Sequence, residues 1–265
     1  MIKKLKNRIA AFLRKEKRKK VSRKVGLDIL PEDVFLVSYP RSGNTWVRFL
    51  LANLLKRTDE TIDFHNVHEY IPEEGRNNDI INALSSPRII KTHSTYKANY
   101  PRVIYLVRDG RDVYVSYYHY RLKILPEGCT FSEFLRMDDH SPCLWGDHVE
   151  SWLSHKERLS GILIVSYENL LSNPNAELKR IVDFIGIQVT EEEIIQAVHA
   201  SRFENMREID QTKGRKYNLT GTDEFIRKGI KGDWREQFTQ DDIEFFNKRE
   251  GKILIDLGYE ESLEW

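Results

Sequence analysis

The stretch Val34-Phe35-Leu36-Val37-Ser38-Tyr39-Pro40-Arg41-Ser42-Gly43-Asn44-Thr45-Trp46-Val47-Arg48-Phe49-Leu50 decides the fold. Its first five residues form an apolar, β-branched run of strand length. From residue 45 to residue 56 the apolar positions Trp46, Phe49, Leu50 and Leu54 return near one helical face. Between the two lies a turn rich in Pro, Ser, Gly and Asn. Strand, turn and helix in this order present backbone N–H groups to an anion, and the helix N-terminus adds unpaired donors and partial positive charge. Gly43 permits an approach that a Cβ would block. Arg41 adds a fixed charge with several donors, and Ser42 and Thr45 add hydroxyls. The turn is not a Walker A loop, because Gly43 is followed by Asn44 and not by Lys. Taken alone, it supports either an anion site or an ordinary turn capped by Ser or Asn.

Outward from this stretch, β-rich runs alternate with helical patterns. Residues 88–91, Arg102–Val107 and Ile162–Ser166 read as strands. Gly110–Arg121, residues 175–185, residues 191–199 and Gln240–Asp256 read as helices. The alternation predicts an α/β fold: a single-domain, P-loop-like, three-layer arrangement with a central parallel sheet flanked by helices. Residues 211–233 are polar and contain Gly, which predicts a long functional loop.

The chain has 265 residues, enough for one sizeable core. No apolar run reaches the length of a membrane span. Cys129 and Cys143 show neither metal nor redox spacing and suit a reducing, cytoplasmic setting. The net charge of +1 hides an asymmetry: residues 1–24 carry twelve Lys and Arg against Glu16, so the remainder is acidic. Ile2, Leu5, Ile9 and Phe12 recur at helical spacing in that segment. Residues 1–25 therefore read as a basic amphipathic extension ahead of a domain at 26–265. The extension suits a helix lying on the inner membrane surface, a solvated tail, or a basic helix packed on the acidic body. Its apolar stretch is too short for a signal peptide.

Three segments carry a resemblance. Residues 39–46 are similar to the 5′-phosphosulfate loop of sulfotransferases that use PAPS (3′-phosphoadenosine 5′-phosphosulfate). Val107-Arg108-Asp109-Gly110-Arg111-Asp112-Val113-Tyr114-Val115-Ser116 resembles that family's 3′-phosphate segment, with Arg and Ser eight residues apart. Arg227-Lys228-Gly229-Ile230-Lys231-Gly232-Asp233-Trp234 resembles its C-terminal loop. The three stand in the family's order and span the chain from Val34 to the C-terminus.

The resemblance implies transfer of a sulfuryl group from PAPS to an acceptor hydroxyl or amine, with PAP as the product and no metal required. It implies that Arg41, Ser42, Gly43, Asn44, Thr45 and Trp46 hold the 5′ end of the donor. Arg108, Ser116, Arg227, Lys228 and Gly229 would hold the 3′-phosphate. Trp46, Phe203 and Tyr167 would contact adenine, with Ser201 in the same Ser-Arg-Phe segment. His93, in Lys91-Thr92-His93, matches the family's catalytic His. An imidazole titrates near neutrality and suits proton removal. Lys91 and Arg41 would stabilise charge on the leaving phosphate. Arg41 departs from the family's usual Lys. So does residue 235 in the segment matching the family's dimer motif, which leaves the oligomeric state open.

Three further readings compete. A P-loop kinase or other phosphotransferase would need the missing Gly-Lys-Ser/Thr. A non-catalytic nucleotide- or membrane-binding relative would not need His93. Arg108 and Arg111 could instead pair with Asp109 and Asp112 on a solvated face. His65 and His68 stand at helical spacing but lack an evident third metal ligand. Nucleic acid is not an expected partner. The acceptor segments, at residues 65–86, 120–145 and 205–225, mix aromatic with polar side chains. This leans toward a glycan, glycolipid or other polar alcohol.

Overall fold

The computed structural model describes residues 26–155, 157, 161–214 and 225–265. Four parallel strands form the centre: β1 (Val34–Ser38), β2 (Ile89–Thr92), β3 (Arg102–Val107) and β4 (Ile162–Ser166). Their order in the sheet is β2-β1-β3-β4. All five residues of central β1 are buried, as a strand covered on both faces requires.

Twelve helices complete the described part. They are α1 (Asn44–Leu55), α2 (Val67–Tyr70), α3 (Asn78–Ala83), α4 (Gly110–Arg121), α5 (Phe131–Leu135) and α6 (Trp145–Leu153), followed by α7 (Tyr167–Ser172), α8 (Pro174–Ile185), α9 (Glu191–Ala200), α10 (Phe203–Lys213), α11 (Trp234–Gln237) and α12 (Gln240–Asp256). Successive strand residues face opposite sides. Phe35 and Val37 pack with Tyr114, Trp145, Trp152 and Phe246 from α4, α6 and α12. Val34 and Leu36 pack with Leu50, Leu178, Ile181 and Ala197 from α1, α8 and α9. The expected three layers are present.

Several element ends differ by a residue from the sequence expectation, among them those of α1, α8, α9 and β2. β2 starts at Ile89, and the Arg88 side chain ahead of it turns to Asp33: Nε donates to Oδ1 at 2.8 Å and Nη2 to Oδ2 at 2.7 Å. Residues 211–213 end α10 and do not open the loop. Trp234 starts a short helix. The basic extension, residues 1–25, lies outside the described residues. No helix among the described residues is long and apolar enough to cross a membrane.

The parallel register is what positions the site. Val37 pairs with Thr92, Ser38 with Leu106 and Val107 with Ser166. The chain therefore leaves β1, β2, β3 and β4 at one end of the sheet, where ligands of α/β folds bind.

The Arg88–Asp33 pair is fully buried. Arg88→Met leaves the Asp33 charge uncompensated and is expected to cost about 3–5 kcal/mol in urea unfolding. Adding Asp33→Asn should recover much of that loss.

Candidate active site

The loop between β1 and α1 is wound around two left-handed residues, Arg41 at φ 71° and Gly43 at φ 93°. A non-glycine residue there costs roughly 1–3 kcal/mol. Gly43 stands at the N-cap position, and no side chain caps α1. The first-turn N–H groups are thus left for a ligand. Ser42 is 2% exposed, and its Oγ has no partner. A Cβ at Gly43 would lie 2.7 Å from the Tyr167 ring. Below, Asn44 Nδ2 donates to Leu36 O and to Ser38 Oγ, at 3.3 and 3.1 Å. Tyr39 Oη donates to Cys143 O at 2.9 Å.

Beside this loop, the end of β3 and the α4 face build a second cationic corner. Arg108 Nη1 donates to Arg41 O at 3.2 Å and Nη2 to Ile230 O at 2.9 Å. Its guanidinium carbon lies 4.3 Å from the Tyr167 ring centroid. Its Nε is buried without a partner. Arg41 turns toward the same corner: Nε donates to Ser116 Oγ at 3.1 Å, and Nη2 donates to Phe225 O at 3.1 Å. The rings of Tyr120 and Phe225 flank the Arg41 guanidinium. Buried donors left unpaired in this way are costly unless a ligand completes them. The uncapped α1 N-terminus and Arg108 Nε therefore suit a nucleotide that carries anions at two positions.

Arg111, by contrast, has a structural place. It is buried against Asp109 and Glu260, between the Trp234 and Trp265 rings. The solvated-face reading of this charge run does not hold, since Arg108 and Asp112 are also buried and stand 3.9 Å apart. Asp112 has a role the sequence did not suggest. It accepts from Gly232 N at 2.7 Å and Trp234 N at 3.0 Å, tying the C-terminal loop to α4. That loop reaches the cavity with Gly229 at φ 66°, where a Cβ would meet Phe203 at 2.5 Å. Arg227 and Lys228 line the cavity, but both heads bond to Asp233.

His93 follows β2 directly. Its Nδ1 lies 2.6 Å from Ser38 O. A carbonyl can only accept, so Nδ1 carries the proton and Nε2 is left basic. Burial holds the His93 pKa well below its usual value, and the neighbouring Lys91 charge lowers it further. Lys91 is paired with Glu73 Oε1 at 2.6 Å, yet burial still pushes it down to about 8.

All these parts surround one cavity of about 760 Å³. Every residue expected at the site except Ser42 lines it. Ser201 is fully buried and accepts from Asn53 Nδ2 at 3.2 Å. Trp46 meets Tyr167 edge to face at 5.9 Å, while Phe203 packs against Gly229. No group of three or more His, Cys, Asp or Glu suited to a metal ion occurs among the described residues. His65 Nε2 instead lies 3.0 Å from Lys213 O.

Comparison with known proteins agrees with this geometry. A family profile described as a sulfotransferase domain matches residues 31–258. Mouse sulfotransferase 1 family member D1 is 33% identical over 250 residues, covering 85% of this chain and 84% of that protein. Rat sulfotransferase 1E1 is 32% identical over 234 residues, covering 79% of each. The crystal structure of mouse sulfotransferase SULT7A1 complexed with PAP matches with a TM-score of 0.70 at 26% identity, covering 88% of this chain and 90% of that one. The chain belongs to the PAPS-dependent sulfotransferase family. Its reaction is sulfuryl transfer from PAPS to an acceptor, which replaces the phosphotransferase and non-catalytic readings.

Arg108→Ala removes forked, charge-assisted donors from the corner beside Ser116. It is expected to weaken PAP roughly tenfold or more by calorimetry. Unchanged affinity would place the 3′-phosphate elsewhere.

Proposed function

We propose that His93 takes the proton from an acceptor hydroxyl while Arg41, Lys91 and the α1 N-terminus stabilise the leaving 5′-phosphate. The observation that carries this reading is the 2.6 Å contact of Nδ1 with Ser38 O, which leaves Nε2 as the basic nitrogen of a residue that lines the cavity. In the transfer, the acceptor oxygen forms its bond to sulfur as Nε2 receives the hydroxyl proton. The bond from sulfur to the bridging phosphate oxygen breaks, and PAP leaves. Such an in-line displacement depends mainly on positioning and charge. An arginine side chain is a fixed charge, so the part of Arg41 is electrostatic. The leaving phosphate is a weak base and needs no proton from the loop.

Ser42, Gly43, Asn44 and Thr45 would hold the 5′-phosphosulfate by N–H and hydroxyl donors. Arg108 and Ser116 would hold the 3′-phosphate, with Arg227, Lys228 and Gly229 closing over it. Arg227 and Lys228 must then exchange Asp233 for the ligand. Adenine would lie among Trp46, Tyr167 and Phe203, beside Ser201, where the π faces offer contact area. The acceptor we favour is a polar alcohol such as a glycan or glycolipid. Peripheral contact of the basic extension with an anionic membrane would suit such an acceptor.

His93→Ala is expected to abolish turnover in a labelled-PAPS transfer assay and to leave PAP affinity nearly unchanged. Because burial and Lys91 lower the His93 pKa, the base stays neutral below pH 6.5. Activity should fall only as pH drops through that lowered value, so the acid limb of kcat/KM should lie below pH 6.5. An acid limb above pH 7 would point to another base. Deleting residues 1–24 should reduce co-sedimentation with anionic vesicles; unaltered sedimentation would reject the membrane contact.

A further inference from the structure

The β2 side of the cavity holds more positive charge than the donor chemistry uses. Residues 71–77 run along the free edge of β2, with Lys91 N donating to Pro72 O at 2.8 Å and Glu74 N to Lys91 O at 2.9 Å. This strip places Glu73 and Arg76 in the cavity wall next to Lys91. Arg48 reaches the strip from α1, donating from Nε and Nη2 to Ile71 O at 3.0 and 2.7 Å. Glu73 serves both Lys91, at 2.6 Å, and Arg76, at 3.2 Å. Among the described residues no carboxylate comes within ion-pair distance of Arg48. Three cations therefore share one carboxylate. Burial pushes Arg48 down to about 10, the response of a charge taken from water without full compensation.

The donor's second anion corner lies on the other side of the loop. Arg108 follows β3 and Ser116 lies on α4, and β1 separates β3 from β2 in the sheet. Arg48 and Arg76 therefore face the part of the cavity left to the acceptor.

We propose that the acceptor carries an anionic group, a carboxylate or a phosphate ester, and that Arg48 and Arg76 hold this group while its hydroxyl meets His93. The proposal rests on the sulfuryl-transfer reading. Guanidinium forks match both anions. Exposed ion pairs add little, but Arg48 is already partly desolvated, so an anion placed there gains more than it would at the surface. Arg76, half exposed, suits the rim of the same subsite.

Calorimetry on PAP-saturated protein tests this with two probe pairs: 4-hydroxyphenylacetate against its amide, and glucose 6-phosphate against glucose. The charged member of at least one pair should bind about tenfold more tightly. The pair showing the preference identifies carboxylate or phosphate as the anion. Arg48→Met should abolish the preference, Arg76→Met should reduce it severalfold, and Glu73→Gln should increase it. PAP affinity should change by no more than about twofold in Arg48→Met and Arg76→Met. Equal binding within both pairs, including no binding at all, overturns the proposal. So does a preference that survives both arginine substitutions. Should Arg48→Met fail to fold by circular dichroism, Arg76→Met and Glu73→Gln still test it, with opposite signs. Failure of the native protein to bind PAP is a separate outcome and would sink the donor reading itself.

Discussion

Parallel pairing of β1 with β2 and β3 is the constraint on which the rest depends. It aligns Val37 with Thr92 and Ser38 with Leu106, so three strands end together. The groups that follow them, residues 39–43, His93 and Arg108, are consequently neighbours although they span 70 positions of chain. A one-residue slip in either ladder would send every side chain of the slipped strand to the opposite face. The all-buried β1 resists this, because Phe35 and Val37 serve one core while Val34 and Leu36 serve the other.

That constraint also explains the local electrostatics. Loops at the end of a covered sheet have helices above and below them and little water. His93 and Lys91 lose charge stability there, and both pKa values fall. In the transfer proposed above, the two shifts would serve one chemistry in different ways. A neutral imidazole can accept a proton, whereas Lys91 would need its charge, which the Glu73 pair supports. Bound anions would support it further, so ligand occupancy should favour the protonated lysine. Glu73 would then be a counter-ion that yields as the site fills.

Much of this architecture was legible in the sequence, for identifiable reasons. The switch from a continuous apolar run to helical spacing marks β1 and α1 within a residue. The same signal marks β3 and α4, and the helical spacing over Gln240–Asp256 matches the observed helix. The three motif segments do reach one cavity. Less legible was α10, since only Met206 and Asp210 of its residues are buried. Asp210 is buried to accept from Phe225 N and Ile226 N, a tertiary contact without periodicity. Asp112 escaped for the same reason: its partners are backbone N–H groups 120 positions away.

Arg48 shows the limit most clearly. In the sequence it is one polar residue between apolar ones on a helix, which ordinarily means a solvated face. The structure instead turns it to Ile71 O, because residues 71–77 lie along the β2 edge and close over α1. An arginine so placed cannot be explained by stability: a carbonyl offers partial charge where a carboxylate would offer a full one. An apolar residue of similar length could fill the space without the desolvation cost. Its charge is thus better accounted for by what enters the cavity than by what surrounds it, and the same reasoning separates Arg48 from Arg111, whose two carboxylates complete it within the fold.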